Sequence, residues 1–390
     1  MKKEEEQPKL KPLLGLFDAT AIGVGAIIGG GIFVVTGIAA GLAGSAFIIS
    51  MLIAAAIALL TALSFAELTA WLPKEGSVYE FAHLLISPFA GFLTGWMWML
   101  SNTFAGAAVS LGFAYYLTAL FPQLNANYAA AALCLAFTAL NYFGVRQSAL
   151  LNNFLVTAKL LILAFFAVFG LFYVNQTNFA PFAPLEVGVF YGAYYIFFAV
   201  FGLFYVNQTN FAPFAPLEVG VFYGAYYIFF AYGGFARIAV ISEEVKDAKR
   251  NVPKAILLSL AISTIVYILV GVVAVGLIGA SKLSASNSPL AEAIGATGNS
   301  AAAYLTSIGG LPATASVLLT SILGVSRMAY SMARRNDLPQ ALSKLHARHN
   351  TPYYSVWIVG LITAALVLFT DLSKVVAIST FAMLFYSAEA

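Results

Sequence analysis

The chain of 390 residues is poor in the groups on which most soluble proteins and enzymes depend. It has one cysteine, Cys134, three histidines, and 19 Lys and Arg against 16 Asp and Glu, so that only 9% of residues are charged. A single thiol excludes an internal disulfide framework and a thiolate metal site. The histidines, His83, His346 and His349, fall outside the apolar runs, and the sequence contains no His-Glu-x-x-His motif and no paired acids within an apolar run. Hydrolase or metalloenzyme machinery is therefore missing, and neither a cofactor nor a metal is expected. Soluble domains are about 25% charged and about 45–50% apolar. Here 61% of residues are hydrophobic and the mean hydropathy is +0.90. A soluble globular protein, a disordered chain and a nucleic-acid binder are thereby excluded.

What is present is a series of long apolar runs, near 15–42, 45–72, 89–121, 127–144, 150–174, 187–206, 219–241, 255–280, 302–326, 353–370 and 374–387. About 20 apolar residues cross a bilayer as a helix, and a membrane barrel would show short alternating strands instead. The expected class is an all-α polytopic membrane protein. Residues 1–14 read as a cytosolic tail without a cleavable signal, and 15–390 as one transmembrane domain. Lys2, Lys3, Lys9 and Lys11 precede the first run. Lys74 and Arg146 lie in short connections. Lys246, Lys249, Arg250 and Lys254 form one cluster, and Arg327, Arg334, Arg335, Lys344 and Arg348 another. The positive-inside rule places these on the cytosolic side, with the N-terminus, in the cell membrane.

Residues 165–199 recur letter for letter as 197–231, an offset of 32 residues. Ancient structural repeats diverge, so identity at every position marks a recent tandem duplication or a fault in the assembled sequence. If both 187–206 and 219–241 crossed the bilayer, the later basic clusters would face outside, against the charge rule. One copy is expected to span, and the second is the better candidate. The repeat also duplicates an Asn-x-Thr sequon, at Asn175 and Asn207. The last run is barely one span long, which reads as a clipped C-terminus.

Two spans are interrupted by glycine. The first contains Gly23-Val-Gly-Ala-Ile-Ile-Gly-Gly-Gly-Ile-Phe33, where each glycine costs a helix about 1 kcal/mol relative to Ala. Unwinding there frees backbone groups that lipid cannot satisfy. Freed N–H groups at the start of a half-helix suit a carboxylate, and freed carbonyls suit an ammonium, so one break provides a receptor for a zwitterion. A Gly-x-x-x-Gly packing face at Gly25 and Gly29 is the alternative. The second interruption is Phe229-Phe230-Ala231-Tyr232-Gly233-Gly234-Phe235. Paired interruptions of this kind point to a transporter site.

Four segments resemble the amino acid/polyamine/organocation superfamily of permeases: GVGAIIGGGIF, FAELTAWLPKEGSVYEFA, FAYGGFARIAVISEEVKDAKRNVPKAI and GVSRMAYSMARRNDLPQALSKLHARHNTPYYSV. Their order and spacing fit over nearly the whole chain once the repeat is discounted. The resemblance implies a LeuT-like fold of five-plus-five inverted repeats with helices 1 and 6 broken. It also implies two further helices after the tenth, and the sequence is therefore expected to be clipped before them. It implies a site at Ile27, Gly29, Gly30, Gly31, Phe230, Ala231, Gly233 and Gly234. The substrate carboxylate would sit on the N–H groups of Gly30 and Gly31. Its amine would sit on the carbonyls of Ile27, Phe230 and Gly233, and Phe230 would act as a gate, packing bulk being the alternative.

Two cations lie within spans. Lys159 sits about nine residues into its span, and intramembrane ionisable groups are costly and usually functional. The segment TAKLLIL is similar to family members in which this lysine occupies a sodium position, which implies coupling to protons without sodium. Snorkelling to the cytosolic edge is the alternative. Arg237 reads either as a partner of Glu243 or Glu244 or as part of a gate with Glu67. Asp18 is expected to cap the first helix. The resemblance implies a secondary transporter whose partners are amino acid substrate, protons and the lipid bilayer, with neutral amino acids favoured by Gly30 and by the lack of a buried acid in the site. An exchanger of amino acids or polyamines, a sensor and an inactive fragment are the other readings.

Overall fold

In the computed structural model, residues 10–29, 31–121, 123–179, 228–229, 231–286, 288–370 and 372–389 are described. The chain is all-helical, with no strand among the described residues beyond an isolated bridge between Leu14 and Val245. The expected span at 187–206 and the first part of 219–241, residues 219–227, and with them the choice between the two copies of the repeat, lie outside the described residues, as do Gly30, Phe230 and Asn207.

α1 covers Leu16–Ile27. A π-helical turn at Gly31–Val35 leads into α2, Thr36–Ala43. Then come α3, Phe47–Trp71, the short α4, Ser77–Leu85, α5, Pro88–Leu120, α6, Ala126–Phe143, and α7, Val145–Leu171. After the repeat, α8 is Ala236–Val240, α9 Ala248–Ala285, α10 Pro289–Gly295, α11 Ser300–Arg334, α12 Tyr353–Phe369 and α13 Leu372–Glu389. Six segments among the described residues are long and apolar enough to cross a membrane: Leu16–Phe33, Ala39–Trp71, Ala126–Phe143, Val145–Leu171, Ala248–Ala285 and Ser300–Arg334.

α11 is the central shaft. Every residue from Ala313 to Ala333 along it is buried, and it packs against α5, α7 and α1. A helix apolar on all sides needs such a position. Its hydroxyls do not break the rule, because Thr314, Ser316, Thr320 and Ser326 bond back to carbonyls of the preceding turn. α9 lies against α3 and α1, and α13 lies along α5. There Ser101 and Ser379 exchange bonds: each hydroxyl donates to the other's carbonyl at 2.8 Å.

Asp18 caps α1 from inside the first turn rather than from the boundary. Gly15 is the N-cap, and its N–H donates to Asp18 Oδ2 at 3.0 Å. The last residues of the expected tail are held against the protein: Leu13 and Leu14 donate to the Glu244 carbonyl at 2.9 and 3.0 Å, and Lys246 donates to the Leu14 carbonyl at 2.8 Å.

Candidate functional site

The first interruption behaves as its glycines predict. α1 ends at Ile27, Ile28 turns extended with φ −77° and ψ 101°, and a π-helical turn covers Gly31–Val35. The second is milder among the described residues, a tightening to a 3₁₀ turn at Gly233–Phe235 ahead of α8. The two cross at backbone distance. A Cβ placed on Gly234 would lie 2.6 Å from the Ala26 oxygen and 2.7 Å from the Ile27 nitrogen. A Cβ on Gly31 would lie 3.1 Å from the Ala231 Cα and 3.3 Å from the Tyr267 hydroxyl. Main chain is the opposing surface at Gly234, and at Gly31 the nearest atom is the Ala231 Cβ, so glycine is what allows this approach.

The carbonyls freed at the end of α1 do not go unsatisfied. Lys159 is wholly buried, and its Nζ donates to the carbonyls of Val24 at 3.2 Å and Gly25 at 3.1 Å, to that of Ile28, and to Ser316 Oγ at 2.8 Å. This set overturns the snorkelling alternative, because the ammonium points into the break and not toward the membrane edge. Tyr267 donates to the Ile27 carbonyl at 2.7 Å and lies 3.4 Å from that of Ala231. The Ile27 oxygen expected to take an amine thus already has one donor, and its second lone pair remains.

Beside the crossing lies a cavity of about 40 Å³, lined by Ile27, Gly31, Ala231, Gly233 and Gly234 from the two interruptions, and by Asn102, Arg237, Val317 and Tyr386 opposite. Space of about 10–15 Å³ holds one water, so this conformation is contracted around the site. Gly29 is not in the lining. It packs against α11, where its Cβ would meet Val317 and the Ala313 carbonyl.

The expected pairing of Arg237 with Glu243 or Glu244 does not occur. Its Nε donates to Asn102 Oδ1 at 2.8 Å, and its Nη1 to the Val317 carbonyl at 3.2 Å and Thr320 Oγ1 at 3.0 Å. Glu244 instead makes a buried two-pronged pair with Arg327, both bonds at 3.0 Å. Glu243 pairs with Arg334 at 3.0 Å, and Glu80 with Arg335 at 2.8 and 2.7 Å. Glu67 is exposed on α3, outside this network and outside the cavity lining. These pairs tie the basic residues at the end of α11 to α4 and to the turn after α8. Glu75 lies among them, buried. Its Oε2 accepts from the Glu243 N–H at 3.3 Å, and its Oε1 has no partner among the described residues. Burial, and then Glu244 and Glu243, push its carboxyl well above the ordinary range.

Sequence reasoning missed Asn102, Tyr267, Ser316, Thr320 and Glu75. The readable signal was polarity inside apolar runs, most plainly Ser101-Asn102 and the Ser316/Thr320 pair one turn apart.

A membrane-embedded helix bundle with a mid-helix interruption, a second helix crossing it backbone to backbone and a cavity at the crossing defines the class of polytopic carrier proteins. The family described as "Amino acid permease" matches residues 14–388, and the chain belongs to it, within the amino acid/polyamine/organocation superfamily. It is 31% identical to the branched-chain amino acid permease BcaP of Bacillus subtilis, over 96% of this chain and 79% of that protein. It is 30% identical to the methylthioribose transporter of the same organism, over 95% and 77%. Against the cationic amino acid transporter 4 of Mus musculus it is 29% identical, over 95% of this chain and 57% of that one. The family and these relatives are transporters, so the chain is a multi-pass membrane transporter of the amino acid permease family and not an enzyme.

Proposed function

We propose that the chain is a secondary active transporter of amino acids in the cell membrane, built on inverted five-plus-five repeats and working by alternating access. In this reading the substrate carboxylate rests on the N–H groups of Gly30 and Gly31. The ammonium sits on the carbonyls of Ile27, Phe230 and Gly233, and Phe230 acts as the gate over the bound substrate. The cavity lining carries no carboxylate among the described residues, which favours neutral over cationic side chains.

The observation that carries the reading is the seat of Lys159. Val24, Gly25, Ile28 and Ser316 offer four oxygens around one point in the break. An all-oxygen set of that kind suits a hard cation. Here a protein ammonium fills it, which supports sodium independence and coupling to protons through this lysine. An ammonium that loses its proton loses charge-assisted bonds to the half-helix, and proton release is thereby tied to movement of the broken segment. Uptake by proteoliposomes across a pH gradient is the test. Wild-type uptake is expected to rise with an inward proton gradient and to be indifferent to sodium. The Lys159→Gln variant is expected to lose the pH dependence, and an unchanged pH profile overturns the coupling role.

A further inference from the structure

We propose that Arg237 determines specificity by receiving an acceptor oxygen, of a carboxylate or a carboxamide, at the far end of the substrate's side chain. The inference rests on the reading of the cavity as an amino acid site and adds the side-chain class to it.

A guanidinium has five N–H donors in a planar fork. Nε is taken by Asn102, and both hydrogens of Nη1 are taken by the Val317 carbonyl and Thr320. These three partners, from α5 and α11, fix the plane of the fork. Nη2 has no hydrogen-bond partner among the described residues, although Arg237 is only 4% exposed and lines the cavity. Two donors are thus left over on a side chain that lines the cavity together with Gly233 and Gly234.

Among the other polar groups of the lining, the Tyr386 hydroxyl, 3.8 Å from the place of a Cβ on Gly233, is neutral, and two more are already engaged. Ser101 Oγ is spent on the Ser379 carbonyl, and the Asn102 amide nitrogen donates to the Trp98 carbonyl at 3.0 Å. The contrast with the other buried arginine is direct. Arg327 has Glu244 on two of its nitrogens, whereas Arg237 has only neutral acceptors and no carboxylate in the lining among the described residues. A buried cation without a counter-ion is costly, and a planar acceptor on the substrate relieves that cost with bidentate geometry. The same cation repels lysine, arginine and polyamine ends.

The test uses the full chain in proteoliposomes, with uptake of labelled glutamine, glutamate, leucine and lysine. Glutamine or glutamate is expected to enter about tenfold or more faster than leucine or lysine, the ratio expected for one charge-assisted hydrogen bond. Preference for glutamate over glutamine identifies the carboxylate as the partner, and the reverse identifies the carboxamide. Arg237→Gln is expected to collapse the ratio and admit leucine. Should that variant fail to fold, melting of the wild type decides: glutamine or glutamate raises its melting temperature and leucine and lysine do not. Leucine or lysine uptake matching or exceeding both acceptors overturns the role of Arg237 alone. No uptake and no thermal shift with any amino acid overturns the amino acid reading, and this inference with it.

Discussion

At the scale of single residues, the site depends on what one position lacks and what another supplies. Gly234 faces Ala26 and Ile27 across a gap with no room for a methyl group. Gly234→Ala must push two main chains apart, and overpacking of this kind costs about 1–3 kcal/mol. The expected outcome is protein that reaches the membrane and melts at lower temperature but transports at background level, checked by uptake alongside surface expression. Tyr267 is the complementary case, because its hydroxyl satisfies the Ile27 carbonyl. Tyr267→Phe leaves that buried acceptor unpaired, at a cost of about 1–3 kcal/mol. Thermal melting in detergent should fall accordingly, and an unchanged melting temperature would show that water replaces the hydroxyl.

Among the elements, α11 and the turn after α8 carry a graded latch. Arg327 and Glu244 are both buried, whereas the side chains of Arg334 and Glu243 are 48% and 26% exposed. Removing one partner of a buried pair costs about 3–5 kcal/mol, and an exposed pair is worth about 0–1 kcal/mol. Arg327→Met should therefore lower the melting temperature far more than Arg334→Met, and equal effects would sink the distinction. Glu75 adds a pH term to the same latch. An unfolded glutamate ionises near 4.3, and the folded one well above it, because burial and then Glu244 and Glu243 oppose its charge while Arg327 only partly offsets them. Between those two values the folded state holds a proton that the unfolded state has lost, so stability falls as pH rises through the folded value and is greatest below about 4.3. Glu75→Gln should flatten that part of the melting-temperature profile, and an identical slope in the variant would remove Glu75 from the latch. Sequence reading reached part of this. Glycine clusters announce an interruption because their effect is local, and Lys159 was legible because charge within an apolar run is rare. The partners were not legible. Arg237 stands six residues before Glu243, and nearness in sequence suggested a pair that the helix does not make. Asn102 and Thr320 reach it from α5 and α11, and no local pattern encodes that meeting.

For the whole molecule, the charge distribution makes a topological claim. The described basic clusters lie with the latch, and Lys246 is exposed among them. Cys134 is buried and is the sole cysteine, so it gives little background to a thiol reagent. Lys246→Cys should be labelled by a membrane-impermeant maleimide in inside-out vesicles and not in intact cells. Labelling from outside would reverse the orientation of everything after the repeat. One described feature also bears on how such a chain changes over generations. The crossing of the two interrupted helices is drawn mainly from main-chain atoms, and main chain is what substitution leaves in place. The wall around it comes from separate side chains on α5, α8, α11 and α13, which are not part of the main-chain clasp. A lineage can therefore exchange one cargo for another by altering a few wall positions. A scaffold of that kind accords with one family whose members carry names as different as branched-chain amino acid, methylthioribose and cationic amino acid.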